Sequence, residues 1–165
     1  STFTLKIRAV RPVPTNLWDQ VEETVQAFVW VGALGLRATR GFGRLAEPSA
    51  LPTAQAFRDW ARTLRSRKIF LYEGKMESGS AQAFLADQLK ELRRKKDLHP
   101  SNSNAHALGA SSKERQASAL HLCPVQTVDE GTLPFFLYTD NACSAKSLKS
   151  DVDAFCLESH CFTAL

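Results

Sequence analysis

The sequence contains no run of about 18 apolar residues, which is the length that a helix needs to cross a bilayer. Its N-terminus alternates polar with apolar residues, whereas a secretory signal places a charged stretch before an apolar one. The sequence therefore predicts neither a membrane span nor a signal peptide, and it predicts no membrane partner.

Cysteine is scarce and has no metal-binding spacing. Four cysteines lie in the last third of the chain, and no two of them form a C-x-x-C pair. Cys143, Cys156, His160 and Cys161 could supply zinc ligands, but their crowded spacing favours free thiols. The sequence predicts reduced thiols in a cytoplasmic protein, with no bound metal and no other cofactor.

Acidic residues are sparse in the first two thirds of the chain. Residues 1–116 hold 19 lysines and arginines against 11 acids, a net charge of +8, whereas residues 117–165 hold 2 against 6, a net charge of −4. The formal charge of the whole chain is +4. A local excess of positive charge attracts polyanions, so we expect nucleic acid or another anionic surface as the partner.

The remaining composition is that of one ordinary globular domain. The 165 residues are 44% hydrophobic and 23% charged, which is enough apolar sequence to bury a core. Residues 3–10 alternate in hydrophobicity and predict a half-buried strand, which Pro12 and Pro14 end. Asn16 is expected to cap the helix that follows, and apolar residues at helical spacing from Leu17 to Phe28 would face the sheet.

Further elements are predicted downstream. Thr53 is expected to cap a helix that buries Phe57, Trp60, Ala61 and Leu64. Residues 68–72 are typical of a short strand, residues 80–96 of a helix, and residues 150–157 of a final helix. Residues 119–128 and 132–139 flank Asp-Glu-Gly and predict a hairpin, whose prolines indicate strands at a sheet edge. Residues 99–118 lack apolar periodicity and are expected to form a flexible insert.

A glycine-rich segment follows the first predicted helix. It reads Gly32-Ala-Leu-Gly-Leu-Arg-Ala-Thr-Arg-Gly-Phe-Gly-Arg-Leu45, with four glycines in twelve positions. Each glycine would cost a helix interior roughly 1 kcal/mol, so the segment predicts a shaped loop. Glycines let backbone N–H groups approach a ligand closely, and three arginines without an acid suit phosphate groups.

Two other interpretations of this segment were considered. It lacks the Gly-Lys-Ser/Thr ending of a P-loop and the acidic residue of a dinucleotide site, so a kinase or dehydrogenase is not indicated. A glycine-rich loop that only packs against a helix, with solvated arginines, remains an alternative. Phe42, whose ring could stack on a base or fill the core, adds weight to nucleic-acid binding.

A strand, a helix and then G-x-x-G-x-R-x-x-R-G-F-G-x-L resembles the glycine-rich signature of the RAMP superfamily, the RNA-binding subunits of type III CRISPR effector complexes. The terminal subunits of the Cmr type are the most similar. The later run R-Q-A-S-A-L-H-L-C-P-V, residues 115–125, is similar to the hairpin motif R-x-A-S-P-L-x-L-x-P-V of those subunits. The two matches cover about 60 residues closely and about 140 loosely.

The resemblance implies an α+β fold with a ferredoxin-like, RRM-related antiparallel sheet, to which helices and the hairpin are appended. The glycine-rich loop would follow the second helix and lead into the last strand. The sequence departs from the signature at Ala33, Thr39, Arg44 and Ala119, so the geometry of the contacts would differ. The predicted RNA-binding residues are Gly32, Gly35, Arg37, Arg40, Gly41, Phe42, Gly43 and Arg44.

The resemblance also implies one domain over residues 1–165, incomplete at its N-terminus, because only 31 residues precede the loop. The chain would be half of a longer subunit, a trimmed product, or a domain completed by a partner, and all three explanations stay open. The implied function is antiviral defence as an RNA-binding subunit that holds guide RNA, or the guide–target duplex, by its phosphate backbone. Target RNA and other RAMP-family subunits would be its further partners.

No catalytic residue is predicted. The four histidines, His99, His106, His121 and His160, are not paired in sequence with a second acid–base group in any recognisable arrangement. We therefore expect a protein that is not an enzyme. The alternative is a metal-independent endoribonuclease of the same superfamily, which processes guide RNA or cleaves target RNA.

Overall fold

The architecture comes from a computed structural model that describes residues 6–33, 48–94, 120–139, 149–158 and 160–165. The predicted insert at 99–118 lies outside these residues. Within them the chain forms four α-helices, two short 3-10 helices and four strands. In chain order these are α1 (Thr15–Val31), a 3-10 helix (Pro48–Ala50), α2 (Ala54–Thr63), a second 3-10 helix (Leu64–Arg67), β1 (Ile69–Gly74), α3 (Ala81–Arg94), β2 (Leu120–Gln126), β3 (Thr132–Thr139), α4 (Lys149–Glu158) and β4 (Phe162–Ala164).

The four strands form one antiparallel sheet in the order β2-β3-β1-β4. In β1, residues 69–73 pair with β3 and residues 72–74 pair with β4. β2 pairs with β3 from Leu120 opposite Tyr138 to Gln126 opposite Thr132. From β1 onward the chain therefore runs strand, helix, strand, strand, helix, strand, and the predicted α+β class is confirmed.

Helices α3 and α4 cover one face of this sheet. Successive side chains of a strand point to opposite faces, so Tyr72, Leu122 and Phe136 share the face toward these helices. This core is closed by stacking of the Phe136 and Phe162 rings, whose centroids are 4.9 Å apart. Its buried members are Tyr72, Leu85, Leu89, Leu92, Leu120, Leu122, Phe136, Tyr138, Val152, Phe155, Cys156 and Phe162.

Helix α2 and the C-terminal end of α1 lie against the opposite face, whereas Leu17, which was expected to face the sheet, is 47% exposed. Thr53 begins α2 as predicted, since its hydroxyl accepts the N–H of Ala56 at 3.2 Å. Phe57 of α2 packs on Phe135 of β3, with ring centroids 4.9 Å apart. The buried members of this second core are Phe57, Ala61, Leu64, Leu71, Cys123, Val125, Phe135 and Leu165, with Trp30, Val31 and Trp60 packed against them. The sheet is thus enclosed between two layers of helices.

The predicted hairpin is confirmed, but it is not an appendage. Its two strands, β2 and β3, form half of the sheet, and β3 lies between β2 and β1 rather than at an edge. Pro124 lies in the edge strand, as predicted. Pro134 lies in the central strand, where a missing N–H is tolerated because the pairing of β1 with β3 ends at Glu73 opposite Phe135.

Two predictions for the N-terminal region are wrong within the described residues. Residues 6–10 do not form a strand, and Val10 is 99% exposed. The four strands of the sheet pair with one another and all lie after residue 68. Asn16 does not cap α1, which begins at Thr15 after Pro14 with no side-chain cap. Pro14 occupies the N-cap position with an extended backbone, and its carbonyl oxygen accepts the N–H groups of Leu17 and Trp18 at 3.0 and 3.1 Å.

The position of the glycine-rich segment also differs from the expectation. The resemblance places it between a second helix and the last strand. In the structure the segment follows α1 and precedes all four described strands. Hydrophobic alternation at residues 3–10 suggested an earlier strand, but alternation alone does not supply a partner for pairing.

Candidate nucleic-acid interface

The structure describes one of the eight predicted RNA-binding residues, Gly32. The other seven lie outside the described residues; they are Gly35, Arg37, Arg40, Gly41, Phe42, Gly43 and Arg44. The geometry of the candidate interface therefore rests on the residues that enter and leave this segment.

Gly32 ends α1 at a point where a side chain does not fit. Its N–H donates to the carbonyl oxygen of Phe28 at 2.9 Å, and its backbone then becomes extended. A Cβ atom at this position would lie 2.2 Å from that oxygen and 2.6 Å from the Phe28 ring. Glycine is thus required here by the close approach of the backbone to Phe28 of the same helix.

Gly32→Ala is expected to destabilise the protein by about 1–2 kcal/mol, because the added methyl group must push the end of α1 away from Phe28. Chemical denaturation followed by circular dichroism measures the change in the free energy of unfolding. Gln20→Ala, at an exposed site of the same helix, is the matched control and should stay within about 0.5 kcal/mol. Equal stability of the two variants would show that α1 ends without this constraint.

The two described ends of the segment are held together. The indole N–H of Trp30, near the end of α1, donates to the carbonyl oxygen of Ala50 at 3.1 Å. The Trp30 ring also packs edge-on against Trp60, with centroids 5.1 Å apart, and lies 6.1 Å from Phe57. The second core therefore anchors the entry and the exit of residues 34–47 close to each other.

A cavity of about 660 Å³ lies beside these anchors. Val29, Trp30 and Pro52 line it on one side, and the beginning of α3 lines it on another. Its one charged lining residue in the described part of the chain is Glu130, whose carboxylate binds an arginine. The described lining thus supplies no cation.

Arg58 of α2 belongs to a structural network. Its guanidinium group forms two hydrogen bonds to Glu73 of β1, at 2.7 and 2.9 Å, and two to Glu130 of the hairpin turn, both at 2.9 Å. The side chains of Arg58 and Glu73 are 21% and 17% exposed. These bonds raise the pKa of Arg58 and lower the pKa of Glu130.

The same turn also caps α2. The Asp129 carboxylate accepts the N–H of Ala54 at 2.8 Å, and this bond lowers the pKa of Asp129. The N–H of Val128 donates to the carbonyl oxygen of Pro52 at 3.1 Å. The acids that precede Gly131 therefore fasten the hairpin to the second helical layer. Their place in a turn is the only sign of this contact in the sequence.

Other arginines of the described residues are ion-paired as well. Arg62 binds Asp59 at 2.5 Å, Arg67 binds Glu23 at 2.7 Å, and Arg94 binds Glu91 at 2.5 Å. These side chains are more than half exposed, so the pairs contribute little to stability. They nevertheless reduce the positive surface that α2 and α3 offer to a polyanion.

Neither face of the sheet is open. RRM domains stack bases on aromatic side chains of an exposed sheet face. Here helices cover both faces, and the aromatic residues of the central strands, Tyr72, Phe135 and Phe136, are buried. Binding of RNA on the sheet in the manner of an RRM is therefore not available to this chain.

The histidines and cysteines do not gather into a site. His121 lies half-buried in β2 and His160 is exposed, while His99, His106 and Cys143 lie outside the described residues. Among the described residues there is no cluster of three or more His, Cys, Asp or Glu side chains placed to bind a metal ion. Cys123 and Cys156 are buried in the two cores, and Cys161 is half-buried.

A group that the sequence did not single out connects β1 with α4. The Tyr72 hydroxyl donates to Asp153 at 2.7 Å, and Lys149 forms an ion pair with the same carboxylate. Burial and the bond to Asp153 raise the pKa of Tyr72, so the phenol stays protonated. Lys149 and Asp153 are four residues apart in a helix, which is the only sequence signal for this group.

Comparisons with protein families, with curated proteins and with solved structures find no match to this chain. A separate inspection of the described helices finds none that is both long enough and apolar enough to span a bilayer.

Proposed function

We propose that this chain is an RNA-binding subunit of a type III CRISPR ribonucleoprotein, without catalytic activity of its own. It would hold guide RNA, or the guide–target duplex, through the phosphate backbone in the course of antiviral defence. Base pairing with the guide, rather than protein side chains, would then read the sequence. Other RAMP-family subunits would be its neighbours in the complex.

The observation that carries this proposal is the glycine-rich segment together with its anchors. Arg37, Arg40 and Arg44 bring three positive charges into a stretch without an acid. The hydrogen bond from Trp30 to Ala50 holds the two ends of the stretch together beside an open cavity. Guanidinium groups bind phosphate through paired N–H donors, so such a segment suits a phosphate backbone.

The arrangement of the strands supports a finer proposal about the fold. We infer that residues 69–164 form a ferredoxin-like unit, because the chain order of strands and helices from β1 and the sheet order β2-β3-β1-β4 are those of that class. The additional layer of α1 and α2 distinguishes it from an RRM with an open sheet.

Replacing Arg37 and Arg40 together by alanine is expected to lower RNA affinity about 30-fold, and equally for unrelated RNA sequences, because phosphate contacts carry no sequence information. The slope of log affinity against log salt concentration should fall by about 1.4, since each contact with single-stranded RNA contributes about 0.7. Mobility-shift titrations at three salt concentrations measure both quantities.

The matched control is the double variant Arg62→Ala and Arg94→Ala. It removes the same charge from two exposed sites that are paired within their own helices, and it should change affinity less than threefold. Equal affinities for the two double variants would contradict the proposed interface. Cleavage of RNA by the purified chain would instead favour the endoribonuclease, the competing function.

A further inference from the structure

A second, smaller cleft lies where β1 begins, β4 ends and α4 starts. Its volume is about 80 Å³, and Arg65, Phe70, Lys149 and Asp153 are among the residues that line it. A water molecule needs about 10–15 Å³ by the same measure, so the cleft has room for a group of several heavy atoms but not for a nucleoside. Its two cations come from segments 84 residues apart in sequence.

Arg65 is held in place with part of its guanidinium group unused. Its Nε–H donates to the carbonyl oxygen of Leu165. No described residue accepts a hydrogen bond from either of its terminal nitrogens and no carboxylate pairs with it, in contrast to Arg58, Arg62 and Arg67. Because one hydrogen bond already orients this planar guanidinium group, the side chain loses less rotational entropy when it binds an oxyanion.

Lys149 supplies the second cation. Its ammonium group pairs with Asp153 and lies 4.7 Å from the centre of the Phe70 ring. Asp153 also accepts a hydrogen bond from the Tyr72 hydroxyl, so this carboxylate has two partners, Tyr72 and Lys149. The side chains that line the cleft thus include two cations and one carboxylate.

We propose that this cleft binds one phosphate group of the RNA backbone, with the Arg65 guanidinium group donating paired hydrogen bonds and Lys149 acting as a point charge. This inference rests on the proposed function. It adds a phosphate contact outside the glycine-rich segment, with Lys149 on the ferredoxin-like unit and Arg65 just before that unit.

Arg65→Gln in the full chain is expected to lower RNA affinity about fivefold and to reduce the salt slope by about 0.7, as the loss of one phosphate contact requires. Lys149→Gln, a second variant from the other side of the cleft, should give a loss of similar size. Arg62→Gln removes the same charge three residues away and should change affinity less than twofold. Thermal melts of all three variants check that the fold is kept.

The outcomes separate this inference from the proposed function. If Arg65→Gln and Arg62→Gln bind RNA equally well while the Arg37/Arg40 variant binds weakly, the cleft is not an RNA contact and the glycine-rich segment remains one. If the unaltered chain binds no RNA at low salt, both proposals are overturned. Inorganic phosphate that shifts the Arg65 Nε–H resonance, with RNA affinity unchanged in Arg65→Gln, would identify a site for a free anion and also overturn the inference.

Discussion

Phe135→Ala should lower the free energy of unfolding by about 4 kcal/mol, the largest single effect that we expect in this protein. Phe135 is fully buried in β3, where its ring packs on Phe57 of α2. Removing it leaves a cavity between a strand that is paired on both sides and a helix that the hairpin turn fixes, so the surroundings can collapse only a little. Denaturation in urea, followed by tryptophan fluorescence, measures the loss.

Val128→Ala is the control for this variant, because Val128 lies just after β2 and is 61% exposed. It should change the free energy of unfolding by less than about 0.5 kcal/mol. A loss below about 1.5 kcal/mol for Phe135→Ala would mean that α2 can move toward the sheet, and hence that the second helical layer is only loosely attached.

Arg58→Ala should cost about 2–3 kcal/mol. The variant leaves the mostly buried Glu73 carboxylate without its partner and also releases Glu130 of the hairpin turn. A carboxylate left unpaired in a poorly solvated site is more costly than the pair is favourable, so the loss should exceed that of an exposed pair. A double-mutant cycle with Glu73→Gln separates the cost of the unpaired Glu73 carboxylate from the cost of releasing Glu130. Arg58→Ala should cost much less once Glu73 is neutral.

The same network predicts a pH dependence with a definite sign. Arg58 holds the pKa of Glu130 below its ordinary value of about 4.3. The interaction between Arg58 and the Glu130 carboxylate therefore contributes its full stabilisation above that pH. It is lost as the pH falls through the lower value of the folded protein. The stability difference between the native chain and Glu130→Gln should therefore be present at pH 7 and vanish in acid. A difference that stays constant as the pH falls from 7 into acid would contradict an ionic origin.

These expectations assign Arg58 to the fold rather than to RNA. In sequence Arg58, Arg62 and Arg65 look alike, since they recur at helical spacing. The structure separates them, because Arg58 joins two carboxylates, Arg62 pairs within its helix and Arg65 reaches a backbone carbonyl. Only Arg65 keeps terminal nitrogens that bind nothing in the described part of the chain, and it alone of the three enters our proposals.

The helices and the hairpin could be predicted because their signals are local. Thr53 supplies a cap for α2, the Asp-Glu-Gly turn supplies a positive backbone angle at Gly131 (φ 74°), and apolar residues recur at the right period in α2 and α3. The N-terminal strand could not be predicted in this way. A period of two shows that a segment could pair, but a partner must be present elsewhere in the fold.

By itself, the amino-acid sequence determined the α+β class, the hairpin, the unequal distribution of charge and the glycine-rich segment with its three arginines. Only the tertiary structure decided that the hairpin forms half of the sheet and that helices close both faces. It also decided that Arg58 belongs to a structural network and that Arg65 and Lys149 face one cleft. Periodicity and capping act within a few residues, whereas burial and ion pairing depend on which distant segments the folded chain brings into contact.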